Sequence, residues 1–196
     1  VKTFVRAAAR LRDAVPDVRA LVLGPLEEDP GYVDQCRTLV THLGLGDTVT
    51  FTGRVKLDDY LPQIDVVVLT SLSEAQPLVI LEAGAAGIPS VATDVGACRE
   101  MILGRSDEIP SIGAGGVVTP VANPAATAEA LARLLGDTAF RERCALAIQA
   151  RVRRHYDKAD LDRRYGDLYE QLIAAPDAAG RVEEDAWPAS ASRFAS

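Results

Sequence analysis

Aromatic residues are scarce in this chain, 5% of 196 residues, with a single tryptophan and a single methionine. Its core must therefore be built from aliphatic side chains, which the 48% hydrophobic content allows. Long apolar runs are also missing. No stretch approaches the roughly 20 residues of a membrane span, and no basic segment followed by an apolar one opens the sequence after Val1. A chain that starts without methionine is expected to be a fragment. Cysteine is limited to Cys36, Cys98 and Cys144, widely spaced and odd in number. That spacing excludes a disulfide framework and a zinc motif, so a reducing cytoplasm is the expected setting. His42 and His155 fall on predicted helices without ligand spacing and are read as structural or exposed. Cys98, near a helix start where a dipole can acidify a thiol, is read as a packing residue.

Positive charge is in deficit as well. The net charge is −7, which disfavours broad binding to nucleic acid or anionic lipid. One local exception gathers Arg141, Arg143, Arg151, Arg153, Arg154, Lys158, Arg163 and Arg164, interrupted by Glu142, Asp157, Asp160 and Asp162. Mixed signs on predicted helices favour a solvated surface over a docking surface for another domain or membrane partner.

What is present is an alternation of periodicities. Helices are expected at 2–14, 30–43, near 57–62, 77–86, 97–103, 124–135, 138–155 and 159–174, and strands at 18–24, 48–52, 65–70, 90–93 and 116–119. Such alternation implies an α/β fold with a doubly wound parallel sheet. The expected division is a domain at 1–174 and a flexible tail at 175–196, where small residues, acids and prolines replace any periodic apolar face and Trp187 and Phe194 are isolated aromatics. Residues 104–116, polar and glycine-rich, read equally as a ligand border or a mobile connection.

The most informative segment is Ser71 to Pro89, SLSEAQPLVILEAGAAGIP. It follows DVVVLT at 65–70, whose β-branched run suits a parallel strand covered on both faces. Ligands of open α/β sheets bind beyond the carboxyl ends of such strands. Gln76 stands where an N-cap would fall and Pro77 at the first helical position, leaving the amides of Leu78 and Val79 as free donors. Free amides at the positive end of a helix favour a phosphate. Glu74 before the turn and Glu82 inside the helix can each accept hydroxyls, on either side of that phosphate. A sugar nucleotide has this layout. Two solvated acids on an amphipathic helix would be the blander reading of the same pair.

The segment resembles the signature of the retaining family-4 glycosyltransferases of the GT-B fold, approximately S-x-x-E-G-F-G-L-x-x-x-E-A-x-A-x-G-x-P. FTGRV at 51–55, DVVVLT, VATDVGACREMI at 91–102 and GGVVTPVANPAATAEAL at 115–131 fall in the family's order, so the resemblance covers about residues 1–173. The wording LTSLSEAQPLVILEAGAAGIPSVATDVGACRE is similar to the PelF-like exopolysaccharide branch. The resemblance implies the C-terminal, donor-binding half of a GT-B enzyme. Glu74 would face the donor sugar as the catalytic residue, Glu82 would bind the ribose, and the Leu78 and Val79 amides would meet the diphosphate. Gly53, Arg54 and Val55 would border the base, with Ser73 and Gln76 counted among the donor-binding residues. The resemblance implies no metal and no cofactor beyond a nucleotide-sugar substrate, UDP-linked by analogy with the branch.

Ala75, Gln76 and Pro77 replace the usual Gly-Phe-Gly, which is read as altered donor contact. The family's first strand, with its arginine and lysine, is missing before VKTFVRAAARL, and so is the N-terminal domain that carries the acceptor site. The strands at 18–24 and 65–70 should then pair directly, or the chain should be part of a longer one. Implied partners are the nucleotide sugar, a glycan acceptor, the N-terminal domain and membrane-bound polysaccharide synthase components, with peripheral attachment to the inner membrane through them. The fragment alone is expected to be inactive. Two other readings are a non-catalytic nucleotide-binding or scaffold module of a synthase assembly, and, with less support, a sugar-nucleotide epimerase.

Overall fold

A computed structural model describes residues 1–174; the tail expected at 175–196, with Trp187 and Phe194, lies outside the described residues. The chain divides into two compact units, Val1–His155 and Tyr156–Ser196, so the last helix is grouped apart from the sheet, where sequence alone had placed it with residues 1–174.

The first unit runs α1 (Lys2–Ala14), β1 (Ala20–Leu23), α2 (Pro30–His42), β2 (Val49–Gly53), α3 (Leu57–Tyr60) with a 3₁₀ turn (Leu61–Gln63), β3 (Val67–Leu69), α4 (Leu78–Ala85), β4 (Ser90–Thr93), α5 (Cys98–Leu103), β5 (Gly116–Thr119), α6 (Pro124–Gly136) and α7 (Thr138–His155). In the second unit, α8 spans Lys158–Ala174 and none of its described residues is buried. Ion pairs of Asp160 with Arg163 and Arg164 and of Lys158 with Asp162 run along it.

Local chemistry explains several helix starts. The side chain of Asp29 accepts from the Tyr32 amide at 2.9 Å ahead of Pro30, and that of Asn123 from the Ala126 amide at 3.0 Å ahead of Pro124. Each supplies an acceptor for an orphan N–H and a proline where no N–H is needed. Asp137 caps α7 in the same way through the Phe140 amide at 2.8 Å.

All strand pairs are parallel, in two groups: β1 with β2, and β3, β4, β5 in that order. The direct pairing expected between the strands at 18–24 and 65–70 does not occur. β1 and β3 each use one edge only, and helix packing joins the groups instead. Val5 and Ala8 of α1 pack in a core with Ala20, Val40 and Val49, while Leu11 of the same helix packs with Val91, Leu131 and Leu134. α1 thus spans both cores and lies against α6. On the other side of the central strands, α4, α5 and α7 pack together, which explains why all four residues of β4 are buried. Gly84 is the contact point of α4 with α7: a β-carbon there would fall 2.7 Å from Val152 and 2.8 Å from Ile148.

The basic cluster does not behave as a single solvated surface. Arg151 is 1% exposed. Its guanidinium donates to both carboxylate oxygens of Glu108 at 3.0 and 2.9 Å, to the Ile102 carbonyl at 2.9 Å and to the Gly113 carbonyl at 2.5 Å. These bonds hold the 104–115 segment against α7. Because that segment leads into the start of β5, it lies at the amino ends of the strands, which argues against its bordering a ligand at the carboxyl ends.

Candidate functional site

Parallel strands place the loops after β3, β4 and β5 at one end of their sheet, and the loop from Thr70 to Pro77 leaves β3 there. Its helix starts one residue later than expected. Pro77 is the N-cap, with ψ 115° and no side-chain acceptor, and Leu78 is the first helical residue. The reason lies in Pro77's extended ψ, which a proline adopts as readily as a helical one. This correction moves the cap from Gln76 to Pro77 but leaves the donors where they were expected. The Ile80 amide turns back to the Pro77 carbonyl at 3.2 Å, and the Leu78 and Val79 amides have no intramolecular acceptor among the described residues. The helix closes at Ala85 with Gly87 beyond it at φ 75°. The Ile88 amide reaches back to the Ala83 carbonyl at 2.9 Å, a glycine-terminated helix end.

Glu74 is half-buried and its carboxylate is oriented: the Ser71 hydroxyl donates to Oε1 at 2.6 Å. Ser71 is itself fixed, since the hydroxyl of buried Thr93, at the end of β4, donates to its carbonyl at 2.7 Å. The turn after β4 supports the same loop, with the Ala97 amide donating to the Ala75 carbonyl at 2.9 Å. Gly96, at φ 49°, passes so close that a β-carbon would overlap the Glu74 carbonyl oxygen and lie 2.6 Å from that of Ala75. Arg99 and Asp94 close this turn through an ion pair, Nε to Oδ1 at 3.0 Å, and the hydrogen bond from Arg99 holds the Asp94 carboxyl below its ordinary range. Cys98 follows directly and is fully buried. Desolvation raises its thiol pKa, the opposite of dipole acidification and in line with a packing role.

Glu82 is exposed on α4 and lines an open cavity of about 530 Å³ with Lys56, Leu57, Asp58, Leu61, Ala85 and Ala86. The loop after β2 and the second glutamate are therefore brought together, through Lys56 to Leu61. Gly53, Arg54 and Val55 precede that stretch and do not line the cavity. Arg54 points instead toward Glu27 and Glu28, each 3.9 Å away and all three side chains well exposed. Ser73 and Gln76 are exposed on the Glu74 loop. Sequence reasoning gave no role to Ser71, Thr93, Gly96, Lys56 or Asp58. Of these, only the Ser71 to Glu74 spacing carries a local signal. No group of three or more His, Cys, Asp or Glu side chains suited to a metal ion occurs among the described residues.

Residues 1–137 match the family described as Glycosyl transferases group 1. The chain belongs to this family. Among relatives of the group 1 glycosyl transferase, the D-inositol 3-phosphate glycosyltransferase of Paenarthrobacter aurescens is 34% identical over 146 residues, covering 72% of this chain and 33% of that protein. Sucrose-phosphate synthase from Thermosynechococcus elongatus superposes with a TM-score of 0.75 at 26% identity, over 89% of this chain and 43% of its own. HepE of Anabaena in complex with UDP shares the fold, with a TM-score of 0.76 at 24% identity over 87% of this chain and 44% of its own. The chain spans about a third of the length of that curated relative, and its architecture is that of the C-terminal domains of GT-B glycosyltransferases.

Proposed function

We propose that this group 1 glycosyl transferase segment is the donor-binding domain of a retaining enzyme that transfers a sugar from a UDP-linked donor to a growing polysaccharide or other glycan acceptor. The observation that carries the reading is the α4 start, where Glu74, two unpartnered amides and Glu82 follow one another in sequence beyond the carboxyl end of β3. An N-terminus with no side-chain cap leaves its dipole and amides to an external anion, here the diphosphate. Glu74, its Oε1 held by Ser71, keeps acceptor capacity for sugar hydroxyls, and Glu82 accepts the ribose hydroxyls from its place at the cavity. During transfer the amides of Leu78 and Val79 stabilise the charge that develops on the leaving diphosphate. No protein nucleophile, metal or general base is assigned. In an enzyme of this kind the acceptor site lies on a separate N-terminal domain, the setting is the cytoplasm, and the similarity to the PelF-like branch supports an exopolysaccharide product with membrane-bound synthase partners.

Turnover by the full-length protein with Glu74→Ala and Glu82→Ala tests this reading. Both variants should transfer sugar at least tenfold more slowly, the scale of one hydrogen bond to a charged group; unchanged transfer in both would sink it. The non-catalytic module remains a second reading because Pro77 supplies no N–H where the common pattern has glycine. It predicts nucleotide binding without turnover.

A further inference from the structure

We infer that Ser71 and Thr93 are positioning residues that set the Glu74 carboxylate for the sugar moiety of the donor, and that the turn at Gly96 is the backstop of this relay. The inference rests on the donor-binding reading above. Three observations carry it. The Ser71 hydroxyl donates to Glu74 Oε1 at 2.6 Å, fixing which oxygen and which lone pairs remain for a ligand. Ser71 is in turn held by the Thr93 hydroxyl, which donates to its carbonyl at 2.7 Å from a strand end that is 1% exposed. The third is the tight approach of Gly96 beneath the Glu74 and Ala75 carbonyls, together with the Ala97 to Ala75 hydrogen bond of 2.9 Å.

Glu74 is therefore located by β4 and the turn after it, as much as by its own loop. That matters because the loop departs from the pattern Gly-Phe-Gly and carries exposed side chains at Leu72, Ser73, Ala75 and Gln76. A loop with so few anchors of its own would let the carboxylate wander. The two hydroxyls and the glycine backstop tie it instead to the most completely buried strand of the sheet. A hydrogen-bonded side chain held this way is preorganised, so its bonds to a ligand need no reordering when the ligand arrives.

The relay acts on the sugar and not on the nucleotide, and this separates it from a merely structural role. Affinities of the full-length protein for UDP-glucose and for UDP are compared, using wild type, Ser71→Ala, Ser71→Thr, Thr93→Val and Glu74→Ala. Ser71→Ala and Thr93→Val should weaken UDP-glucose by roughly fivefold to tenfold, the worth of one misplaced hydrogen bond, with UDP affinity unchanged. Ser71→Thr, which keeps the hydroxyl, should restore the wild-type ratio. Equal weakening of both ligands, or no change in either, overturns the relay.

Glu74→Ala keeps the two possible failures apart. If it leaves the preference for UDP-glucose over UDP intact, the assignment of Glu74 to the sugar is wrong. If Glu74→Ala abolishes that preference but Ser71→Ala keeps it, the assignment stands and the relay alone is refuted. A crystal structure of Ser71→Ala supplies a readout free of any ligand: a Glu74 carboxylate in its original place would also refute the positioning role.

Discussion

Replacing Glu108 by alanine should be among the most damaging single changes in the domain, although Glu108 lies at the opposite end of the strands from the proposed donor site. The substitution strands the guanidinium of Arg151, 1% exposed, with two backbone carbonyls and no carboxylate. It also removes the acceptor of the Ile112 amide at 3.1 Å. Breaking a buried pair by deleting one partner costs about 3–5 kcal/mol, a large share of the roughly 5–15 kcal/mol that holds a domain folded. Urea titration of the 196-residue chain, followed by circular dichroism, should show a large fall in midpoint with little change in slope. The double variant Glu108→Ala with Arg151→Met should recover part of the loss, because no uncompensated charge remains. Acid adds a second signature. Hydrogen bonds from Arg151 hold the Glu108 carboxyl below its ordinary value of 4.5. The native state therefore binds its proton less readily than the unfolded chain, and the pair stabilises fully above pH ~4.5. That stabilisation is lost as the pH falls through the lower native value. Glu108→Gln should lack this part of the acid limb. A cost below about 1 kcal/mol for Glu108→Ala, or a double variant weaker than the sum of its singles, would refute the reasoning.

Other outcomes follow from the site. Ligand-observed NMR of the domain extended upstream should show UDP binding selectively over GDP and ADP, weakened about tenfold in Glu82→Ala; equal binding of all three would remove the uridine assignment. Gly96→Ala should destabilise the domain by at least about 1–2 kcal/mol, the cost of a β-carbon in a left-handed conformation, and lower UDP-glucose affinity, measured by calorimetry. Cys36, Cys98 and Cys144 are buried, and burial raises the thiol pKa of Cys98 and Cys144. An aromatic disulfide reagent should consequently react with them in the native protein far more slowly than in urea.

Periodicity located the elements well because the layered core demands it. β4 is buried along its whole length and reads as SVAT at 90–93 in both sequence and structure. Boundaries moved where a partner, not a propensity, decides. The apolar run at 65–70 is a strand only over Val67–Leu69, the residues that find β4, and the run at 18–24 only over Ala20–Leu23, the residues that find β2. Pro77 shows a different limit, since its ring fixes φ alone and ψ decides between cap and first turn. The open start of α4, with its two free amides, was legible because polar loop, proline and apolar run lie within a few residues of each other. Arg151 was not, because its partner stands 43 residues away in a loop and helical spacing merges it with exposed arginines. Thr93 and Gly96 escaped for the same reason: they act across the sheet on a loop far earlier in the chain, 22 residues back in the case of Thr93 and Ser71.

The inner edges of β1 and β3 carry a practical consequence for anyone who makes this segment by itself. Each is a parallel strand with hydrogen-bonding partners on one side only, and neither carries a charged residue or a proline along Ala20–Leu23 or Val67–Leu69 to discourage another chain. Bare backbone edges of this kind recruit whatever extended peptide is nearby. Poor solubility or concentration-dependent assembly of the recombinant segment would therefore be a property of its unpaired strand edges.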